Sequence, residues 1–587
     1  MAKVVIRTPI SSQPMNTDQR SIAKKGFDKL VAERSTHRPH YSGCWLVKNI
    51  PRNAKKIEEY DIKDAHVQIF YLNEGIEYLY HIAPWEYELS NELTRIVRKT
   101  IEHLGQNPPR EFSLSFDELS SYVQSTSLQL ITSLTNNKIA LVRREYGVAN
   151  EQLQERLARI VARYTVGLGI LETMLSDDHI EDIYIDAPAP ENPIYVTLNG
   201  ISGSNSIVRC ATNVVATNSE IEGLVSRFRQ YSRRPFSEAF PVMEIDVASF
   251  DTRATVIGPP LSPMGTAIAL RRHSRFPWTL LKLAFNETID CFIAALISFL
   301  IDGRATILIC GPRGAGKSAL LGATLFEFPR TQRILAIEDT SELPIRKLQQ
   351  LGYKIQSILV ENEIGVEREE KTDEALRVSL RLGESAIVLG EVRGKEAITL
   401  YESMRTGKAG SSVLGTIHGD SARSVYERVV HDMGIPKEAF GATDIVITLG
   451  LYRPHGSPKQ MRKIIELTEL KKDSNPGEFR PLVEFDHHTG KFNLHSIKDS
   501  GIIERIAKSW NLNCEEAWMN ILTRAKMREV LLAIAQKGRK ECLEPEWIAK
   551  TNEFLWQRMD VGKVDHELIL NEFESWVQRR LGLGEFA

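Results

Sequence analysis

Read from its N-terminus, the chain places alternating apolar runs first, then a helix-spaced stripe, and unbroken apolar stretches last. Ala65–Leu72 and Ile76–Ile82 flank Asn73-Glu74-Gly75, which predicts a hairpin in a small α+β module. Leu153, Leu157, Ile160, Val161 and Tyr164 recur at helical spacing, so an amphipathic helix is expected from Glu151 to Leu175 with its stripe in a core. Ile180–Ile185, Pro193–Leu198 and Ala267–Leu270 make a second sheet-rich stretch, and the proline- and glycine-bearing segment Gly258–Gly265 reads as a loop within it. A domain boundary is expected just beyond, near His273 to Trp278. Cys291–Ile301 is the strongest apolar run, bracketed by Asp290 and Asp302; at roughly half the length of a membrane span it reads as a core helix.

Further on, Ala305–Ile309, Arg333–Ile337, Ala386–Leu389 and Val413–Gly415 read as buried strands. Val483–Phe485 and Lys491–Leu494 flank Asp486–Gly490 as a hairpin, which leaves His487 and His488 as turn residues with no further ligand at metal-binding spacing. From Ile502 to the end the pattern is mostly helical and carries no catalytic motif, and no internal repeat is visible.

Composition narrows this only slightly. A chain of 587 residues predicts about two to four domains. With 42% hydrophobic and 26% charged residues it is ordinary for a soluble globular protein, and a net charge of −2 argues against bulk nucleic-acid binding. The six cysteines (Cys44, Cys210, Cys291, Cys310, Cys514, Cys542) form no C-x-x-C pair, so neither a zinc cage nor a disulfide framework is expected, and a reducing cytoplasm fits. No basic-then-apolar leader opens the chain, because Val4-Val5-Ile6 is interrupted by Arg7 and Pro9. Met1 to Lys56 carries 12 Lys/Arg against 3 Asp/Glu, either an electrostatic arm for an anionic surface or acidic partner, or a solvated, partly disordered stretch.

The candidate chemistry sits where the unbroken runs end. Gly311-Pro312-Arg313-Gly314-Ala315-Gly316-Lys317-Ser318 follows the first run and precedes the helix-like Ala319–Phe326. Strand, glycine loop and helix in that order aim backbone N–H groups at a triphosphate, with lysine on the β/γ-phosphates and the serine hydroxyl on magnesium. The second run ends in Glu338-Asp339-Thr340-Ser341-Glu342, three carboxylates in five positions; capping of a helix by Asp339 or Thr340 leaves that density of acids unexplained. The third ends in Gly390-Glu391-Val392-Arg393, 73 residues after Ser318, enough for an intervening strand and helix of a RecA-like sheet; an acid there can hold magnesium or its waters. The fourth ends in Thr416-Ile417-His418, after the glycine-bearing Thr406–Gly410, and a histidine there can sense a γ-phosphate.

In this order the four segments resemble the Walker A, Asp box, Walker B and His box of the type II/type IV secretion-system ATPase superfamily, the motors of type II secretion, type IV pili and archaella. The likeness runs over roughly residues 150 to 470, through Gly169-Ile170-Leu171-Glu172, Arg234-Pro235-Phe236-Ser237-Glu238 and Ala267–Arg272. The missing paired C-x-x-C zinc motif and the Tyr80–Pro84 module make the archaeal branch look most similar. One departure is Leu382-Gly383-Glu384-Ser385, where the family often has Pro-Asp before the Walker B strand.

The resemblance implies an α/β fold: a RecA-like P-loop ATPase domain (276–500) preceded by an α+β, PAS-like N-terminal domain (146–275), with a basic arm (1–56), an accessory module (57–145) and a helical C-terminal tail (501–587). It implies ATP and Mg2+ as cofactors and no zinc. Gly311 to Ser318, Ala319 and Thr416 are expected to bind nucleotide, and Ser318 and Glu391 to hold the metal, Glu391 through water or directly. Glu338, Asp339 or Glu342 is expected to polarise water, and His418 to report the γ-phosphate. Arg253, Arg271 and Arg272 are candidates to act in trans in a homohexamer. An integral-membrane platform protein, pilin-like or secreted substrates, and a cytoplasmic position at the inner membrane face are further implications. A DNA-translocating motor and a nucleotide-binding scaffold with little turnover are the alternatives; no basic, aromatic tract favours nucleic acid.

Overall fold

A computed structural model describes residues 36–72, 77–107, 116–135, 150–201, 206–232, 234–272, 277–360, 368–383, 385–394, 396–405, 412–456, 460–472, 477–495, 497–559 and 564–582. Most of the basic arm, the turn at Asn73–Gly75, Glu384, the Thr406–Gly410 segment and most of the expected boundary at His273–Trp278 lie outside them. The chain divides into two compact units, Met1–His273 and Ser274–Ala587.

The first unit is built on strands β1 (Thr36–His37), β2 (Cys44–Val47), β3 (Ala54–Ile62), β4 (Ala65–Leu72), β5 (Glu77–Pro84), β6 (Ile180–Ile185), β7 (Tyr195–Leu198), β8 (Ser206–Thr212), β9 (Val214–Ala216), β10 (Val242–Val247), β11 (Thr252–Ile257) and β12 (Ala267–Arg272). The predicted hairpin is β4–β5, with Leu72 opposite Glu77. Its strands do not stand apart: β5 runs parallel to β8, and one mixed sheet has the order β3-β4-β5-β8-β7-β6-β12-β11-β10. The expected helix through Leu175 is two helices, Asn150–Thr165 and Ile170–Leu175. The break has a local cause. A Cβ at Gly167 would lie 1.8 Å from Glu172 Oε1, and that oxygen accepts the Leu168 N–H at 2.7 Å. The Arg163 carbonyl oxygen, 2.8 Å from the same position, adds a backbone atom that a side chain there would crowd.

The second unit holds β13 (Ile307–Cys310), β14 (Arg333–Glu338), β15 (Lys354–Leu359), β16 (Ala386–Val392), β17 (Val413–Ile417), β18 (Ile445–Tyr452), β19 (Gln460–Leu470), β20 (Phe479–Asp486) and β21 (Lys491–Leu494). The first six pair in parallel in the order β15-β14-β16-β17-β13-β18, and β19, β20 and β21 continue the sheet antiparallel. Every residue of β13 and β17 is buried, as unbroken apolar strands require when both sheet faces are covered. His487 and His488 occupy the β20–β21 turn, where Asp486 Oδ1 accepts the His488 N–H at 2.8 Å.

Cys291–Asp302 is a helix capped by Asp290, whose Oδ1 accepts the Ile293 N–H at 2.7 Å, and nearly all of it is buried. Among the described residues no helix is long and apolar enough to cross a membrane. The C-terminal helices Gly501–Ser509, Cys514–Gln536, Pro545–Met559 and His566–Leu581, read from sequence as a tail, share one core with that helix. Two buried ion pairs fix the longest of them, Cys514–Gln536: Arg524 to Asp302 at 2.5 Å and Arg528 to Glu327 at 2.6 Å.

Candidate nucleotide-binding site

Parallel strands bring their carboxyl ends to one edge of the sheet, and all four polar segments sit there. β13 runs into the glycine loop, β14 ends at Glu338, β16 carries Gly390 and Glu391 near its end, and β17 ends one residue before His418. The carboxyl edge of an open α/β sheet is where such folds bind ligands. The loop itself depends on glycine. Gly311, Gly314 and Gly316 have φ of 153°, 82° and 95°, and a Cβ at Gly311 would stand 2.6 Å from the Leu449 carbonyl oxygen. The helix Lys317–Thr324 begins directly after Gly316. Pro312, Arg313 and Gly314 are exposed, Ser318 and Ala319 are half-buried, and Ala315 is buried, anchoring the loop to the core.

Lys317 Nζ donates to the Gly311 and Pro312 carbonyls at 2.9 and 3.2 Å. Burial lowers its pKa, with Glu391 and Glu342 pulling the other way. On β16 the pairing register slips between Leu389 and Val392, and this irregularity falls on Gly390 and Glu391. A bulge of this kind re-aims a side chain out of the strand's alternation. Gly390 lies beside Glu338 of β14, where a Cβ would make ordinary contact at 3.5 Å from Glu338 Cα. The Glu391 carboxylate pairs with the Arg393 guanidinium through Oε2. Its Oε1 lies 2.9 Å from His418 Nε2, yet makes no aligned hydrogen bond and is a buried oxygen without one. Burial foremost, then Lys317, keeps the His418 pKa below its ordinary value despite Glu391, so the ring is neutral at pH 7.

The three acids after β14 are unequal. Glu338 is buried; its Oε1 accepts the Glu342 and Leu343 N–H groups at 2.9 and 2.8 Å, and its Oε2 has no hydrogen-bond partner. Burial, reinforced by Glu342 and Asp339, pushes its pKa up to about 7. Asp339 Oδ2 stands 3.7 Å from Arg393 Nη1, and Glu342 is exposed. Thr416 has a task other than the expected phosphate contact: its buried hydroxyl donates to the Gly390 carbonyl at 2.5 Å, tying β17 to the bulge that aims Glu391.

Arg253, Arg271 and Arg272 belong to the first unit, and each is paired within it. Arg253 meets Glu244 at 2.7 Å, Arg271 meets Asp182 at 2.9 Å, and Arg272 binds Asp178 and the Asp177 carbonyl. Their side chains are 26%, 50% and 5% exposed, so Arg272 is turned inward. The sequence reading missed two other arginines. Arg393 lies between Glu391 and Asp339. Arg462, on β19, donates from Nε to the Gly314 carbonyl at 3.0 Å and so braces the loop. Arg393 was visible inside the Gly-Glu-Val-Arg segment, whereas nothing local marks Arg462.

A glycine loop opening a helix, a lysine in the field of an aimed glutamate and further acids at the end of an adjoining strand meet at one sheet edge, an arrangement able to bind phosphate. The family model described as type II/IV secretion system protein matches residues 218–464. A Mycobacterium tuberculosis (strain ATCC 25618 / H37Rv) protein named for conjugal transfer is 31% identical over 276 residues, 46% of this chain and 74% of that protein. The chain belongs to the type II/IV secretion-system ATPase superfamily. An uncharacterized protein of the archaeon Methanocaldococcus jannaschii is 24% identical over 60% of this chain and 46% of its own length. Type IV secretion system protein VirB11 of Bartonella henselae is 23% identical over 50% of this chain and 87% of its own length.

Proposed function

We propose that this protein is a Mg2+-dependent ATPase, converting ATP and water to ADP and phosphate on a RecA-like P-loop core. In this reading it works as a homohexameric motor at the cytoplasmic face of a membrane, docked on an integral platform protein. Its output is assembly of a type IV pilus-like or archaellum filament, or type II/IV secretion. The observation that carries the reading is Lys317, at the head of the glycine-loop helix, in the field of Glu391 near the end of β16, which lies one strand beyond β17 in the same parallel sheet.

Lys317 and the loop N–H groups bind the phosphates, and His418, neutral at pH 7, is placed to report the γ-phosphate beside Glu391. The donor set suits magnesium: Ser318 offers a hydroxyl and Glu391 a buried oxygen without a hydrogen bond. Ser318 and Glu391 would hold the ion together with the nucleotide's own phosphates and water, the ligand set magnesium ordinarily takes. When bound, magnesium neutralises charge on the β- and γ-phosphates. Glu338, fixed by two backbone donors, is the best-positioned acid to orient the attacking water, with Asp339 and Glu342 beside it. Arg271, the most exposed of the three first-unit arginines, is the leading candidate to act in trans.

Magnesium-dependent ATP turnover per subunit, measured across a range of protein concentrations with Lys317→Ala as the blank, tests this reading. Activity per subunit should rise with concentration and vanish in the variant. Binding without turnover at every concentration supports the scaffold reading instead.

A further inference from the structure

Among the described residues, one side chain bridges the acidic segment after β14 and the glutamate of β16. Arg393 pairs through Nη2 with Glu391 Oε2, while Nη1 stands 3.7 Å from Asp339 Oδ2. Its backbone is held separately: the Arg393 and Gly394 N–H groups donate to Glu396 Oε1 at 2.5 and 3.0 Å, and Glu396 is buried. The anchored main chain leaves the guanidinium, 42% exposed, to move by side-chain rotation alone. A divalent cation arriving at Glu391 Oε1 meets a carboxylate whose single negative charge the guanidinium on Oε2 already offsets, so the two cations compete for charge even on different oxygens. A cation arriving near Lys317 and Arg393 is also repelled by both. The displaced guanidinium has a carboxylate already at hand, Asp339.

We propose that Arg393 is a positioning residue with two stations: it holds Glu391 until a divalent cation and nucleotide phosphates arrive, and then passes to Asp339. This inference rests on the nucleotide reading above. It makes the guanidinium a competitor of the metal for Glu391 and couples the strand end of β16 to that of β14. Phosphate arrival is thereby reported to the acids that orient water.

The test is binding of a fluorescent ATP analogue to the full chain as Mg2+ is titrated. Arg393→Gln should lower the Mg2+ midpoint about fivefold, the size of one partly screened charge pair. Asp339→Asn, which removes the receiving station, should raise it, and the double variant should behave like Arg393→Gln. Arg393→Lys keeps the charge but loses the fork and should fall between wild type and Arg393→Gln. Binding of the analogue in metal-free buffer, through Lys317, reports that each variant is folded. Unchanged midpoints in folded variants, or a double variant that simply adds the two single effects, overturn the proposal. A wild-type chain that binds no analogue overturns the nucleotide reading itself, which distinguishes the two failures.

Discussion

The two units each gather carboxylates around an arginine, and the two clusters behave as opposites. In the first unit Arg163, 11% exposed, meets Asp64 and Glu86 at 2.8 Å and Glu172 at 3.6 Å. In the second, Arg393 is 42% exposed and spans Glu391 and Asp339. Arg163 has its positions filled and little solvent to exchange with, so it fixes geometry, here joining Asp64 and Glu86, which adjoin β4 and β5, to the helix Asn150–Thr165. Arg393 has solvent on one side and two acceptors on the other, so it can change partner. An arginine among acids is thus no sign of function by itself; exposure, and a glycine loop at the same sheet edge, are what set the Arg393 cluster apart from the closed one.

Breaking the closed cluster should have the largest effect. Arg163→Met leaves Glu86, fully buried, uncompensated and should cost about 3–5 kcal/mol, read as an early unfolding transition of the first unit. A loss no greater than that of a surface pair would erase the contrast.

The next effect concerns pH. Burial pushes both Glu172 and Glu338 up to about 7, from an ordinary 4.5. Each carboxyl is therefore protonated in the fold while already ionised in the unfolded chain between those values. Their contribution to stability is complete below about pH 4.5 and is lost as pH rises through about 7. Glu338→Gln should remove about 1–2 kcal/mol of that decline in the second unit, measured as denaturant midpoints at pH 5 and pH 8. Glu172 in the first unit, unchanged, is the internal control. An unaltered decline in the second unit contradicts the burial argument. The smallest effect belongs to the open cluster: Arg393→Gln should cost under about 1 kcal/mol of stability in the measurement that exposes Arg163→Met.

What could be read from the sequence follows the range of the physics. The glycine loop was legible because its geometry is local: eight consecutive residues carry the left-handed turns, the lysine and the hydroxyl. The Asp, Walker B and His segments were legible because each ends an apolar strand. Arg462 was not, since it reaches Gly314 only after β19 is laid beside β18 and β18 beside β13, an order no local pattern encodes. The C-terminal segment was legible as helical, but its packing was not, for a related reason. Arg524 and Arg528 look solvated in a helical pattern, but Asp302 and Glu327 meet them in the core. In the sequence Asp302 marks only the end of an apolar run. The first-unit arginines were legible as residues but not as contacts, because Glu244, Asp182 and Asp178 pair with them through strand register or a neighbouring turn.

The central claim is that Lys317 binds phosphate and Glu391 drives its chemistry, and one parallel measurement tests it most directly. Nucleotide affinity and ATP turnover are determined side by side for Lys317→Ala and Glu391→Gln. The account predicts that Lys317→Ala loses both, while Glu391→Gln retains binding and turns over about 100-fold more slowly or less. Wild-type turnover in Glu391→Gln would contradict it.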